Sequence, residues 1–358
     1  MTRYVALDAF RGLTIAFMIL VNTPGTWSHV YSPLLHANWH GITVTDFVFP
    51  FFLFIIGSAM FFSFKKSNFT ATPSQFGKIL KRGAIMFLLG LILNTAPFTS
   101  DIETWRIMGV LQRIALAYIF ASSIVLLFNR RGIFIVSFLI LAFYWLLLVS
   151  VGDGAFLIES NIVRQFDLTI LGASHMYTMH GVSFDPEGLL STIPAIVSML
   201  LGFEVTRHLT SVNDKKYSLI QLVVIGGVVI GLGALLNEFI PINKSLWTPS
   251  YVLFTTGFAC LVLAAFVWLI DIKGYKKIVD PLLVYGTNPL FVYMLSGLVV
   301  TFYLNVNIGD TTLYGWLYQQ LALVLEPTFA SFMFALLHVI FFWFVSLKLY
   351  QKNIFIKI

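Results

Sequence analysis

The stretch TVTDFVFPFFLFIIGSAMFFSF, residues 43–64, decides the fold. Its only charge is Asp46, near the start. The apolar residues run on continuously, without the alternation of a barrel strand. The run is as long as a helix that crosses a bilayer, which needs about 20 apolar residues. A second feature lies just upstream: a polar segment, NTPGTWSHVYSPLLHANWHG (22–41), carries His36 and His40 and leads into the acid.

The whole chain has the same character. Of its 358 residues 58% are hydrophobic and 11% charged; a soluble domain carries about 25% charge. So few charges cannot cover a water-facing surface, and an integral membrane protein follows. Ten spans are expected, near 5–22, 43–64, 79–95, 107–128, 132–151, 188–207, 218–238, 249–270, 282–303 and 329–350, in one all-α domain over 1–358. With the N-terminus placed inside, all of the 22 Lys and Arg except Arg106, Arg113, Arg164 and Lys244 fall on the inner side. That asymmetry orients the chain with both termini cytoplasmic. Segments 23–42, 96–106, 152–187, 239–248 and 304–328 then face outward. The net charge of +6 is explained by these inner loops and gives no reason to expect nucleic acid. The start, MTRYVALDAFRG, lacks the pattern of a cleavable signal peptide. A single cysteine, Cys260 in an apolar run, excludes an intrachain disulfide framework and reads as a small buried hydrophobe.

Several polar residues interrupt the apolar pattern. Imidazole titrates near neutral pH, so His36 and His40 suit acid–base chemistry. Interfacial polar residues, in company with Trp27, Tyr31 and Trp39, are the alternative. Their i, i+4 spacing would suit a metal pair on a helix, but Asn38-Trp39-His40-Gly41 is poor helix sequence and no ligand cluster completes a site, so no metal is expected. Asp46 orients His36 or caps a helix start beside Thr43 and Thr45. Asn22 either ends the first span or offers an amide to a reacting carbonyl. Asp8 and Arg11 pair at i, i+3, or receive an anion from the inside. Gln112 and Arg113 sit inside a span, where Arg113 needs an anion: a bound phosphate, Asp46 or Glu204. Glu204 has Arg207 at i+3. Asp185-Pro186 reads as a helix start, with Glu187 in its first turn. Asn243, Lys244 and Trp247 stand on an outer turn, where a lysine against the charge trend suits an anion or a sugar.

Longer phrases resemble the heparan-alpha-glucosaminide N-acetyltransferase family of transmembrane acyltransferases. They are LDAFRGLTIAFMILVN (7–22), HANWHGITVTDFVFPFFLFIIGSA (36–59), RIMGVLQRIALAY (106–118), FDPEGLLSTIPAIVSMLLG (184–202), PINKSLWTPSYVLFTTGFA (241–259) and KNIFIKI (352–358). The resemblance implies transfer of the acetyl group of cytosolic acetyl-CoA to the amine of a glucosamine-type sugar across the membrane. The family's catalytic histidine matches His36. Its asparagine, eleven residues earlier in the lysosomal members, matches Asn22, fourteen residues earlier here. His40 stands where the lysosomal pattern HASWNG has asparagine and is not carried over as catalytic. The resemblance further implies a bacterial homologue, in the inner membrane, without the lumenal domain.

On this expectation the catalytic set is His36, Asn22 and Asp46, with His36 acting as base or as acetyl carrier. Arg11, Lys81, Arg82 and Arg113 are the expected contacts of acetyl-CoA; ordinary inner-face anchoring is the alternative for the first three. Trp39, His40, Asp185, Glu187, Asn243 and Lys244 are the expected contacts of the acceptor. Expected partners are the two substrates, membrane lipids and a second copy in a homodimer. The competing classes are an amino-sugar or oligosaccharide transporter and an O-acyltransferase of envelope glycans.

Overall fold

The computed structural model describes residues 4–356. Arg3 and Lys357, counted above among the inner charges, lie outside them. The described chain is helical: α1 (Val5–Asn22), α2 (Val48–Lys65), α3 (Pro73–Thr95), α4 (Val110–Leu127), α5 (Arg130–Val149), α6 (Ile162–Leu171), α7 (Thr192–Ser211), α8 (Lys215–Leu236), α9 (Pro249–Val267), α10 (Lys276–Tyr285), α11 (Pro289–Asn305), α12 (Leu313–Ala322) and α13 (Pro327–Gln351). Two short antiparallel hairpins interrupt them, β1 (Thr178–Met179) with β2 (Val182–Ser183), and β3 (Asn307–Ile308) with β4 (Thr311–Thr312).

Seven described helices are long and apolar enough to cross a membrane: α1, α2 with its leading turn, α4, α5, α8, α9 with its following turn, and α13. Helices α10 and α11 qualify together but are bent by 59°. The expected span 282–303 is therefore two helices. Pro289 starts the second, and an Asn288 side chain at the break donates to the Ile354 carbonyl and accepts from Ile356 N–H, at 2.9 and 2.7 Å. Helices α3 and α7 are of similar length but less apolar, because Lys78, Lys81 and Arg82 lie on one and Glu204 and Arg207 on the other.

Water does not drive helices together inside lipid, so close packing of small residues must. The α2–α7 pair is built this way. A Cβ on Gly57 would fall 1.9 Å from the Met199 carbonyl oxygen, and one on Gly202 would fall 2.0 Å from that of Phe54. Ser58 Oγ also donates to the Gly202 carbonyl at 3.2 Å. This contact, with α1, α4 and α9 around it, holds most of the buried core. Helices α5, α8 and α13 lie outside it and turn Phe138, Leu139, Leu146, Val224, Leu232, Phe341 and Phe344 outward as a lipid-facing surface.

Two expectations change locally. Asp185-Pro186 does not begin a helix. The Asp185 carboxylate accepts from Glu187 N–H at 2.9 Å, and the Asp167 carboxylate accepts from Leu190 N–H at 3.0 Å. The segment is a turn spent on carboxylate contacts, and α7 starts later, at Thr192. Arg113 reaches neither Asp46 nor Glu204. It is fully buried, donates to Ser191 Oγ and, at 3.3 Å, to the Gly188 carbonyl, and lies 4.9 Å over the Trp247 ring. Glu204 does pair with Arg207, at 3.0 Å, and with Arg130, at 3.5 Å. Asp8 does pair with Arg11, at 3.2 Å.

Candidate active site

The end of α1 and the start of α2 meet at one end of the bundle. A cavity of about 630 Å³ opens there. Asn22, Thr23, His36, Trp39, Asp46, Arg106, Tyr177, His180, Glu187 and Lys244 line its polar part. Met18, Ile19, Leu93, Tyr293, Gly297 and Val300 line its apolar part, a slot between α1, α3 and α11.

Asp46 is the fixed point. Its side chain is 1% exposed. One oxygen, Oδ2, accepts from Ala37 N–H at 3.1 Å and Thr43 N–H at 2.9 Å; Thr43 Oγ1 lies 3.0 Å away and shares its single proton with the Leu35 carbonyl, at 2.6 Å. The other, Oδ1, lies 2.7 Å from His36 Nδ1. Tyr251 donates its hydroxyl to the Asp46 carbonyl at 2.6 Å and anchors the turn from α9. Asp46 does not cap α2, which has no side-chain cap; Asn22 does end α1, and Thr23 in the cap position bonds back to the Ile19 carbonyl at 2.7 Å. A carboxylate is an acceptor only, so it fixes the proton of His36 on Nδ1 and leaves Nε2 with a free lone pair. His36 itself is 44% exposed, toward the cavity. Asn22 is exposed at the cavity wall, and among the described residues its amide has no hydrogen-bond partner.

The opposite wall is a charge clamp. Arg106 donates twice to Asp185 and once to Glu187, each at 2.8 Å. Its guanidinium also lies 5.0 Å over the Tyr177 ring. Burial disfavours the Arg106 charge, but the two carboxylates more than offset it and raise its pKa. Asp185 is fully buried behind the clamp, while Glu187 reaches the cavity. The β1–β2 hairpin roofs this side. Its turn residues His180 and Gly181 both have positive φ, as a tight hairpin turn requires. His180 Nε2 lies 3.0 Å from the Asn38 carbonyl and ties the roof to the His36 loop.

The remaining expected residues are distributed elsewhere. Trp39 lines the cavity and donates to the Phe156 carbonyl at 2.7 Å. His40 and Asn243 lie behind it. The Asn243 amide donates to the Trp39 carbonyl at 2.8 Å and accepts from Leu246 N–H at 2.8 Å, so it staples two loops. Burial lowers the pKa of His40. Lys244 follows Asn243 directly, and its Nζ comes within 3.1 Å of His36 Nδ1 and 3.3 Å of Nε2. Arg11 is at the far end of α1, bonded to Asp8 and to the Gly286 carbonyl at 3.4 Å. Lys81 is exposed, and Arg82 lies 4.9 Å over the Tyr118 ring. Arg113 lines no part of the cavity. Sequence reasoning missed Thr43 as a carboxylate donor, and Tyr251, Tyr177 and His180. Arg106 had shown itself only as a cation against the charge trend. Among the described residues no three His, Cys, Asp or Glu side chains cluster as metal ligands would.

The family model described as heparan-alpha-glucosaminide N-acetyltransferase, catalytic, matches residues 3–235. The chain belongs to this family. The heparan-alpha-glucosaminide N-acetyltransferases of human and mouse are both 28% identical to it, over 351 and 350 residues. The match covers 82% of this chain in each case, and 52% and 53% of the two relatives. The chain thus spans about half the length of the curated relatives it matches. Within this heparan-alpha-glucosaminide N-acetyltransferase family member, the family match takes in Asn22, His36 and Asp46 but stops short of Lys244.

Proposed function

We propose that the protein is a transmembrane N-acetyltransferase that moves the acetyl group of acetyl-CoA to the amine of a glucosamine-type sugar. The observation that carries this is the His36–Asp46 pair, 2.7 Å apart, on the wall of the cavity that also takes in Asn22. The acceptor amine attacks the thioester carbonyl carbon. A carbon–nitrogen bond forms and the carbon–sulfur bond breaks. His36 Nε2 takes the proton of the amine and returns it to the departing thiolate. The Asn22 amide donates to the carbonyl oxygen as negative charge builds there. The resident carboxylate holds the imidazole in the tautomer this needs, as in other carboxylate–histidine pairs.

The slot between α1, α3 and α11 suits the pantetheine arm. From Val300 to Tyr293 its wall on α11 is about 10 Å long at 1.5 Å per residue. Arg11, Lys81 and Arg82, at the far end of the bundle, then attract the nucleotide phosphates from the cytoplasmic side. Trp39 and Glu187 serve the acceptor sugar, Glu187 by accepting a hydrogen bond from its amine. Counting α3, α7 and the bent α10–α11 pair with the seven apolar helices gives ten spans, both termini inside and the His36 cavity outward, in a bacterial inner membrane. The excess of Lys and Arg on the inner side supports that orientation.

The test is purified protein with radiolabelled acetyl-CoA and a panel of amino sugars, comparing wild type with His36→Ala. Acetylated sugar from the wild type alone supports the proposal. Transfer that survives His36→Ala removes His36 from the chemistry. No transfer, together with sugar uptake into proteoliposomes, makes the protein a transporter.

A further inference from the structure

We propose that Lys244 is a working part of the acetyl-transfer centre, the cation that holds the negative charge of the departing thiolate. This rests on the acetyltransferase function proposed above. Its basis is where Nζ sits. It is nearly equidistant from the two ring nitrogens of His36, 3.1 and 3.3 Å. A donor aligned with one in-plane lone pair would be much farther from the other nitrogen. A group in the ring plane midway between them would collide with the carbon they share. Nζ therefore lies over the face of the imidazole. An ammonium over the ring face leaves the in-plane Nε2 lone pair open to the acceptor's proton.

The remaining surroundings leave the ammonium donors free. The nearest carboxylate oxygen, Asp46 Oδ1, is 3.9 Å away and already meets His36. The other groups that titrate or carry charge on the cavity wall are Glu187, Arg106, Tyr177, His180 and Tyr293. Arg106 is paired through Nε and Nη2 with the carboxylates of Asp185 and Glu187. Among the described residues, Lys244 is the cation on this cavity that is not tied to a carboxylate at hydrogen-bond distance. Desolvation lowers its pKa, with Glu187 and Asp46 acting against that. A desolvated cation is the form that gains most when an anion is created beside it.

The loop that carries it is rigid. Asn243 ties it to Trp39, Trp247 N–H bonds back to the Lys244 carbonyl at 3.1 Å, and Gly41 N–H donates to the Ile242 carbonyl at 2.8 Å. The same ties hold the Lys244 backbone against the His36 loop. In the reaction the amine proton goes to His36 Nε2 while the carbon–sulfur electron pair leaves with sulfur. For that interval the site holds an imidazolium and a thiolate. Lys244 donates to the thiolate until His36 returns the proton. The ammonium also opposes binding of the acceptor as an ammonium ion and so favours the free amine that attacks.

The experiment uses the full-length protein with acetyl-CoA and a saturable amino-sugar acceptor, comparing wild type, Lys244→Met and Lys244→Arg. Lys244→Met should lose about 10²–10³ in kcat, the size expected for one transition-state donor, with the acceptor KM changed far less. Lys244→Arg should recover part of the kcat. A raised acceptor KM with kcat intact in Lys244→Met would make Lys244 a sugar contact and overturn the assignment. Equal losses in both variants, with unchanged melting, would also overturn it, since charge would then not be what matters. If Lys244→Met melts early, Lys244→Gln read by the same kcat and KM split decides. An inactive wild type sinks the acetyltransferase function itself, and this proposal with it.

Discussion

Asp46→Asn is the sharpest single perturbation. The variant keeps shape and volume. Its amide oxygen belongs where Oδ2 now sits, because two backbone donors converge there, Ala37 N–H and Thr43 N–H, at 3.1 and 2.9 Å. The NH₂ group must then face His36 Nδ1, which now lies 2.7 Å from a carboxylate oxygen. A donor opposite Nδ1 makes Nδ1 the acceptor and sends the ring proton to Nε2. The nitrogen on the cavity side then has no lone pair for the acceptor's proton. The same exchange in a serine protease triad costs about 10⁴ in kcat; with His36 half-exposed, about 10³–10⁴ is expected here. That corresponds to about 4–5.5 kcal/mol of lost transition-state stabilisation at 1.36 kcal/mol per decade. The assay is initial-rate acetyl transfer at saturating acetyl-CoA and acceptor. Melting in detergent serves as the control, since the backbone donors keep their acceptor. Loss of kcat with the fold intact is the expected result. A variant within tenfold of wild type would refute the tautomer argument, and Asp46 would then be a loop staple that happens to touch His36.

Three further outcomes follow from the same geometry. Asn22→Ala should lower kcat by about 10²–10³ and leave melting in detergent unchanged, because the amide has no partner among the described residues; unchanged kcat would remove it from the carbonyl-binding role. Arg106→Met strips the fully buried Asp185 of its counter-charge and should cost about 3–5 kcal/mol of stability, read as a drop in melting temperature that Arg106→Met/Asp185→Asn partly restores; equal melting of wild type and the single variant would show the clamp to be idle. Burial raises the Asp167 pKa from the usual 3.8 to about 6, against the pull of the Leu190 amide and Arg113. The folded state therefore holds its proton more tightly than the unfolded chain, and stability falls as pH rises from about 4 to about 6. Asp167→Asn should be the more stable form above pH 6, by up to about 3 kcal/mol, and the gap should close below pH 4; melting curves across that range check it.

Much of the architecture is legible because lipid imposes one rule on every span: apolar side chains and an internally satisfied backbone. Residues 43–64 give away a membrane helix for that reason. The rule says nothing about where a span breaks. The α10–α11 bend has a local mark, Pro289 after Gly286 and Asn288, which the expected span 282–303 runs through; the Asn288 contacts at the break reach a carbonyl and an amide 66 and 68 residues away, which no local pattern carries. The site shows the same division. Residue type alone marks His36 and His40 alike and leaves Asn22 a helix end; the family resemblance singles out His36 and Asn22, and the structure sets His36 beside Asp46 on a cavity that Asn22 also lines. Asp185-Pro186 carries a local helix-start signal, but the partner of Asp185, Arg106, is 79 residues distant, and that long-range contact governs the segment.

The four cations outside the inner-face pattern sharpen this point. Arg106 is held by two carboxylates, Arg113 by Ser191 and the Gly188 carbonyl, and Arg164 by the carbonyls of Ser183 and Glu159 at 3.1 and 2.9 Å. Each of the three departs from the charge trend and is repaid by a fixed partner that organises the loops around the cavity. Lys244 departs from it too, and among the described residues its Nζ meets an imidazole face and a carboxylate at 3.9 Å. Where local rules are broken, a structural partner is the first explanation to exhaust. For Arg106 and Arg164 it suffices; Arg113 has Ser191 and Gly188 on Nη2 but keeps Nε and Nη1 buried without a hydrogen-bond partner among the described residues. For Lys244 it does not, and what remains beside it is the space in which sulfur would leave.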